Sequence, residues 1–267
     1  MCKVSVIMGI YNCASTLQEA LDSLYSQTFQ DFEIILCDDG STDYTYDVAL
    51  INQQNHDNIV LLRNEHNLGL NATLNKCLSV ARGEYIARMD GDDVSLPSRF
   101  EKQVRFLNEN LEYAFVSCPM YMFDSNGKWG ETKAKQFPSK KDVITHIPSF
   151  THAAVMIRRN VFLAVEGYTQ SKYLLRVEDC HLWFKIYSLG YVGANLQDAL
   201  YGMRDDRAAT LRRNWAARRN GIYVVWCGYR MFKMPWYTYP KLFIHAGVEI
   251  AKYLMPQSLY EYFHRRG

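Results

Sequence analysis

The sequence predicts an α/β fold built on a mainly parallel, doubly wound sheet, and three observations carry that expectation. Short β-branched runs alternate with segments of helical period through the first hundred residues, which is the pattern of βαβ units. Polar or acidic loops follow the ends of several of those runs, where open α/β sheets bind ligands. The chain has 267 residues, 48% of them hydrophobic, enough for one large core with an appendage.

Residues 4–8 read as a first strand that breaks at Gly9 and leaves Tyr11 and Asn12 in a loop. Ser15 and Gln18 have capping-box spacing. Leu17, Ala20, Leu21, Leu24 and Tyr25 then recur with a helical period. Residues 32–37 form a second strand, ending in Asp38-Asp39-Gly40-Ser41-Thr42-Asp43, an acidic turn that opens a second helix. Residues 59–62 are a third strand. Asn67-Leu68-Gly69 leads into a helix with Leu70, Leu74, Cys77, Leu78 and Ala81 on one face. Beyond Pro97 the pattern loosens: a helix on Phe100, Val104 and Leu107, a strand at 113–118 and a turn at Asn126-Gly127. A short helix between Pro138 and Pro148 and a strand at 153–158 follow. Glu178-Asp179 opens a helix whose Leu182, Trp183, Ile186 and Tyr187 face inward, and residues 191–196 and 200–203 close the strand pattern. After residue 208 only helices are expected, at 215–229 and 241–255.

The stretch Tyr85-Ile86-Ala87-Arg88-Met89-Asp90-Gly91-Asp92-Asp93 concentrates the chemistry. A buried strand runs into three carboxylates, and like charges raise one another's pKa. A hard divalent cation with oxygen ligands offsets such a cluster; an acidic turn is the plainer alternative. The loops at Tyr11, at Asp38-Asp39 and at residues 90–93 all follow strand ends, so one edge of the sheet gathers them.

These motifs, together with Gln27-Thr28-Phe29-Gln30-Asp31-Phe32-Glu33 and Ala81-Arg82-Gly83-Glu84, resemble the family-2 glycosyltransferases of the GT-A fold over about residues 3–205. The closest resemblance is to bacterial enzymes that build capsule, exopolysaccharide or O-antigen repeat units. It implies a Rossmann-like catalytic domain at 1–205, with a nucleotide-binding half at 1–97 and an acceptor-binding half at 98–205. Residues 206–267 would be a helical extension. By the resemblance Tyr11 stacks on the nucleotide base, with Asn12 beside it. Asp38, or Asp39 next to it, accepts a hydrogen bond from the base, and Asn67 and Gly69 complete that side. Asp90-Gly91-Asp92 matches the DXD motif, so Asp92 ligates Mg²⁺ or Mn²⁺ and Asp90 binds the ribose or the metal shell. Arg88 orders the acidic loop. Glu178-Asp179 matches the ED motif, with Asp179 as general base. No QxxRW motif is visible, which implies transfer of one sugar, from a donor expected to be a UDP-sugar, with inversion, onto a saccharide acceptor that is lipid-linked. His152 stands as a contact to acceptor or diphosphate or as a structural histidine. His181 reads as exposed in a first helical turn.

Composition narrows the partners. The net charge of +2 combines +8 from residue 201 onward with −6 before it. A basic, aromatic tail has three readings: packing on the catalytic domain, lying on the inner face of the cytoplasmic membrane, or binding a protein. The acidic body carries no nucleic-acid motif. Seven scattered cysteines without a CxxC pair point to a reducing cytoplasm rather than disulfides or zinc. No signal peptide or spanning segment is expected. Two rival functions are a sugar-phosphate nucleotidyltransferase and a non-catalytic scaffold of a polysaccharide assembly complex. The first needs a basic, Gly-rich N-terminal loop, and Gly9-Ile10-Tyr11-Asn12 has one glycine and no cation. The second has no use for clustered carboxylates.

Overall fold

The computed structural model describes residues 2–145, 148–205 and 215–254. Among these, one seven-stranded sheet runs in the order β10 (Val192–Asn195), β6 (Tyr113–Ser117), β9 (Met156–Arg158), β4 (Tyr85–Arg88), β1 (Val4–Ile10), β2 (Phe32–Asp38), β3 (Ile59–Arg63). β1 pairs in parallel with β2 and β4, and β2 with β3. Their C-terminal ends, with the loops at Tyr11, Asp38 and Asp90, therefore share one edge.

Alternation along β1 explains why helices cover both faces. Val4, Val6, Met8 and Ile10 share a core with Leu17, Leu21 and Leu24 of α1 (Leu17–Tyr25) and Phe100 and Leu107 of α4 (Arg99–Glu109). Ile7 turns the other way, to Leu74 and Cys77 of α3 (Leu70–Val80) and Trp183 and Phe184 of α7 (Glu178–Ser188). α2 (Thr45–Asn55) joins β2 to β3.

Three expectations need correction. The Ser15–Gln18 capping box does not form: α1 starts at Leu17, and its N-cap Thr16 makes no side-chain cap. Thr16 Oγ1 instead donates to the carbonyls of Cys13 and Gly91, and Gln18 reaches Asp22 and Asn52. The expected strand at 153–158 begins as a 3₁₀ turn at His152–Ala154, leaving β9 short and antiparallel to β4 and β6. A second sheet, β5 (Val94–Ser95), β11 (Tyr201–Arg204), β7 (Met120–Asp124), β8 (Gly127–Glu131), takes the expected strand at 200–203 as β11 and has the turn at Asn126-Gly127 joining β7 to β8. His181 is buried rather than exposed. The helix N-terminus places it in a first turn, but α7 is covered on that side.

α5 (Lys140–Thr145) and α6 (Arg159–Ala164) add Val143, Ile144, Val161 and Phe162 to the core that holds Trp183 of α7. Of the readings for the tail, packing on the body describes α8 (Trp215–Met231): Val224, Val225 and Tyr229 join the same core as Trp183. Gly228 is required there, because a Cβ would lie 2.7 Å from the Phe184 ring. α9 (Tyr239–Leu254) packs against α8 through Leu242 and an ion pair, Arg218 Nη1 to Glu249 at 2.6 Å. No helix among the described residues is long and apolar enough to cross a membrane, and the seven cysteines are unpaired.

Candidate active site

The first two loops are stitched to each other. Asn12 adopts φ +48°, a conformation Asn tolerates better than most side chains. Its Oδ1 accepts from the Thr42 amide at 2.9 Å, and its own amide donates to Ser41 Oγ at 3.0 Å. The Tyr11 ring beside it stays 46% exposed, so one face is open to a ligand. Gly40, at φ +71°, lets the turn touch the 66–67 backbone; a Cβ would come within 2.8 Å of His66.

Asp38 and Asp39 are both buried. Asp38 faces Arg63 Nε at 3.2 Å. Asp39 accepts from Asn64 Nδ2 at 2.8 Å and from the amides of Leu68 and Gly69, both at 2.9 Å. Their hydrogen bonds thus shape the 64–69 loop, with Asn67 at its exposed tip and Gly69 at φ +86°. Asp38 also accepts from the Ser41 amide at 3.3 Å, closing the acidic turn locally, whereas the donors to Asp39 come from a loop 25 to 30 residues away.

At the end of β4, buried Arg88 pairs with Asp90 Oδ1. Burial works against the Arg88 charge, but Asp90, with Tyr168, Tyr201 and Asp93, holds the guanidinium protonated more firmly than usual. The Arg88 carbonyl accepts from Arg99 Nη2 at 2.9 Å. β11 frames the loop from outside: Tyr201 Oη accepts from the Asp90 amide at 3.2 Å, and Arg204 Nε donates to the Asp92 carbonyl at 3.0 Å. The Arg204 amide also donates to Asp93 Oδ1 at 2.8 Å. Arg99, Tyr201 and Arg204 were invisible as site residues, because nothing local in sequence ties them to residues 90–93.

The carboxylates remain electrostatically crowded. Asp92 is open to solvent, yet the protein around it and then Asp90 push its carboxyl up. Burial, Asp90 and Asp92 push Asp93 up to about 7. Burial first, then Asp179, raises Glu178, and burial raises Asp179. Asp179 Oδ1 accepts the Cys180 amide at 2.7 Å in the first turn of α7, and Arg176 enters that turn at φ +65°.

A cleft of about 730 Å³ brings Arg88, Asp90, His152, Arg176, Glu178 and Asp179 together. Tyr11, Asn12, Asp38, Asp39, Asn67, Gly69 and Asp92 belong to the same strand edge but not to this cavity wall. His152 Nε2 lies 2.7 Å from Tyr168 Oη, and burial, then Arg88, holds the imidazole well below its usual pKa, hence neutral. Burial and then Lys185 drop His181 to about 4. It does not line the cleft.

The residues at 90–93 suit a hard divalent cation: Asp92 is open, its ligand atoms are oxygens, and its charge is incompletely offset. No group of three His, Cys, Asp or Glu among the described residues encloses a metal, so a cation there would share its shell with a ligand and water.

The model of Glycosyl transferase family 2 matches residues 5–165. The chain belongs to that family. EpsE of Bacillus subtilis (strain 168) is 38% identical over 265 residues, covering 99% of this chain and 94% of that one. The UDP-Gal:alpha-D-GlcNAc-diphosphoundecaprenol beta-1,3-galactosyltransferase of Escherichia coli is 28% identical, covering 99% and 96%. In fold, the family member superposes on the mannosyltransferase PcManGT of Pyrobaculum calidifontis, solved with GDP-Man and Mn²⁺, with a TM-score of 0.65 at 18% identity over 99% and 80% of the chains. The sheet and its flanking helices are those of the GT-A fold.

Proposed function

We propose that this glycosyltransferase moves one sugar from a UDP-sugar to a lipid-linked saccharide at the inner face of the cytoplasmic membrane, in surface polysaccharide biosynthesis, with inversion. The observation that carries the reading is the cleft that gathers Asp90, Glu178 and Asp179 in its lining. The Escherichia coli relative's name supports both the donor nucleotide and the diphospholipid acceptor.

Tyr11 offers its ring to the base, while Asp38 and Asp39, with the 64–69 loop they organise, line that side. Asp92 and Asp90 would hold a Mg²⁺ or Mn²⁺ ion, which as a Lewis acid offsets charge on the departing diphosphate. Arg88 keeps Asp90 aimed while the loop is loaded. Asp179 takes the proton from the acceptor hydroxyl, a step worth about 10²–10⁴ in rate. Burial raises its pKa, which makes it a stronger base once ionised. Neutral His152, held by Tyr168, lines the cleft without adding charge. One displacement needs no second carboxylate as a covalent nucleophile.

The test is thermal stabilisation by UDP, GDP, CDP and dTDP with and without Mn²⁺. A ligand at ~100 times its Kd adds about 2.7 kcal/mol. UDP with Mn²⁺ should give that shift, and Asp92→Asn should abolish it. A shift with none of the nucleotides sinks the donor assignment.

A further inference from the structure

α9 is amphipathic in the opposite sense to an ordinary surface helix, which turns its apolar stripe inward. Glu249 and His245 face the protein, the first in the Arg218 ion pair and the second half-buried, while Lys241 stays exposed near the start of the helix. Outward it shows Phe243, Ile244, Val248 and Leu254, at 73, 67, 45 and 72% exposure. With Gly247 and Ala251 these positions form one continuous stripe. Trp236 and Tyr237, 84 and 67% exposed, extend it at the start of the helix. An apolar face of that extent marks an interaction surface.

Charge decides between occupants. Residues 215–254 hold six Lys/Arg against the single acid Glu249, and Lys233 and Lys241 flank Trp236 and Tyr237 on either side in sequence, both exposed. A second copy would bring the same excess of cations against itself. An anionic bilayer complements it, and interfacial helices combine this apolar face with basic residues and Trp. α9 has 16 residues, roughly 24 Å, so it suits lying along the headgroups rather than crossing.

We infer that the outward face of α9, with Trp236 and Tyr237, is a docking surface for anionic phospholipid. α8 joins that surface rigidly to the catalytic body: Asn220, 2% exposed, donates to the carbonyls of Lys172 and Leu175 in the loop that leads to Glu178. Docking therefore fixes the orientation of the cleft to the bilayer. The surface stands apart from the sugar-transfer chemistry, so a chain that binds vesicles but no nucleotide keeps this inference and loses the transferase reading.

The experiment is co-sedimentation of the full chain with phosphatidylcholine vesicles, with and without phosphatidylglycerol. Binding should require phosphatidylglycerol and weaken as salt rises. Ile244→Asp with Val248→Asp should cut it about tenfold or more, with the thermal midpoint unchanged because both side chains are exposed. Equal binding to neutral vesicles, or full binding by the double variant, overturns the inference. So does failure to bind any vesicle, including the case where the wild type dimerises and the double variant does not, which would assign the face to a second copy.

Discussion

The N-terminal end of the central sheet and the carboxylates at 90–93 and 178–179 beyond its other end handle charge in opposite ways. Asp38 and Asp39, also at that other end, are paired within the chain. At the N-terminal end, the Glu33 carboxylate accepts from Ser5 Oγ at 2.6 Å, from the Arg82 amide at 3.0 Å and from Arg82 Nη2 at 2.7 Å. Burial alone would raise its pKa, but Ser5 and Arg82 outweigh that and hold it below the usual range. At the C-terminal end Asp92, Asp93, Glu178 and Asp179 are all pushed upward. A charge matched within the chain is part of the scaffold. Charges left crowded and in reach of solvent mark where a ligand supplies what the chain does not.

The comparison breaks first at Asp179. Asp179→Asn should lower the initial rate of sugar transfer about 10²–10⁴-fold while leaving the unfolding midpoint near that of the wild type. In the wild type, the rate should fall as pH drops through a pKa above the ordinary aspartate value of 3.8, because burial keeps the base protonated longer. A variant that unfolds, or one that retains its rate, would place Asp179 in the scaffold class.

The second contrast lies in two glycines. At Gly83 a Cβ would stand 2.5 Å from the Ser5 amide nitrogen, and at Gly91 it would meet Cys13 Sγ at 2.8 Å. Backbone cannot yield as a side-chain terminus can, so Gly83→Ala should cost about 3 kcal/mol in urea unfolding, and Gly91→Ala clearly less. Equal costs would mean that both ends are equally rigid.

The smallest effect sharpens the charge argument. Glu33→Gln should cost about 2 kcal/mol at neutral pH, the range of hydrogen bonds to a charged group. A lowered folded pKa means that this stability is present above the unfolded value near 4.5 and is lost as pH falls through the folded value. Wild type and variant should therefore converge in acid, as urea midpoints between pH 7 and pH 3 would show. A gap that persists in acid would assign the cost to packing.

Local pattern made much of this legible. The helical period behind residue 17 and the β-branched runs at residues 4–8 and 32–37 reported the doubly wound half, because a strand buried on both faces has few alternatives. Asp90, Asp92, Glu178 and Asp179 were visible as acids clustered in two short motifs, with only Arg88 and Arg176 as cations within two residues of them. The capping box failed because Thr16 found better acceptors in the Cys13 and Gly91 carbonyls, and Gly91 is 75 residues away in sequence. His181 was misjudged because a first helical turn says nothing about what covers it.

By itself the sequence determined the α/β class, the family and three acidic residues of the cleft, Asp90, Glu178 and Asp179, since each is written in short-range periodicity or in a contiguous motif. Only the tertiary structure decided the insertion of antiparallel β9, the framing of residues 90–93 by Tyr201 and Arg204, and the outward turn of the apolar face of α9. Those depend on contacts between residues far apart in the chain, where packing and charge pairing choose among arrangements that local pattern leaves equal.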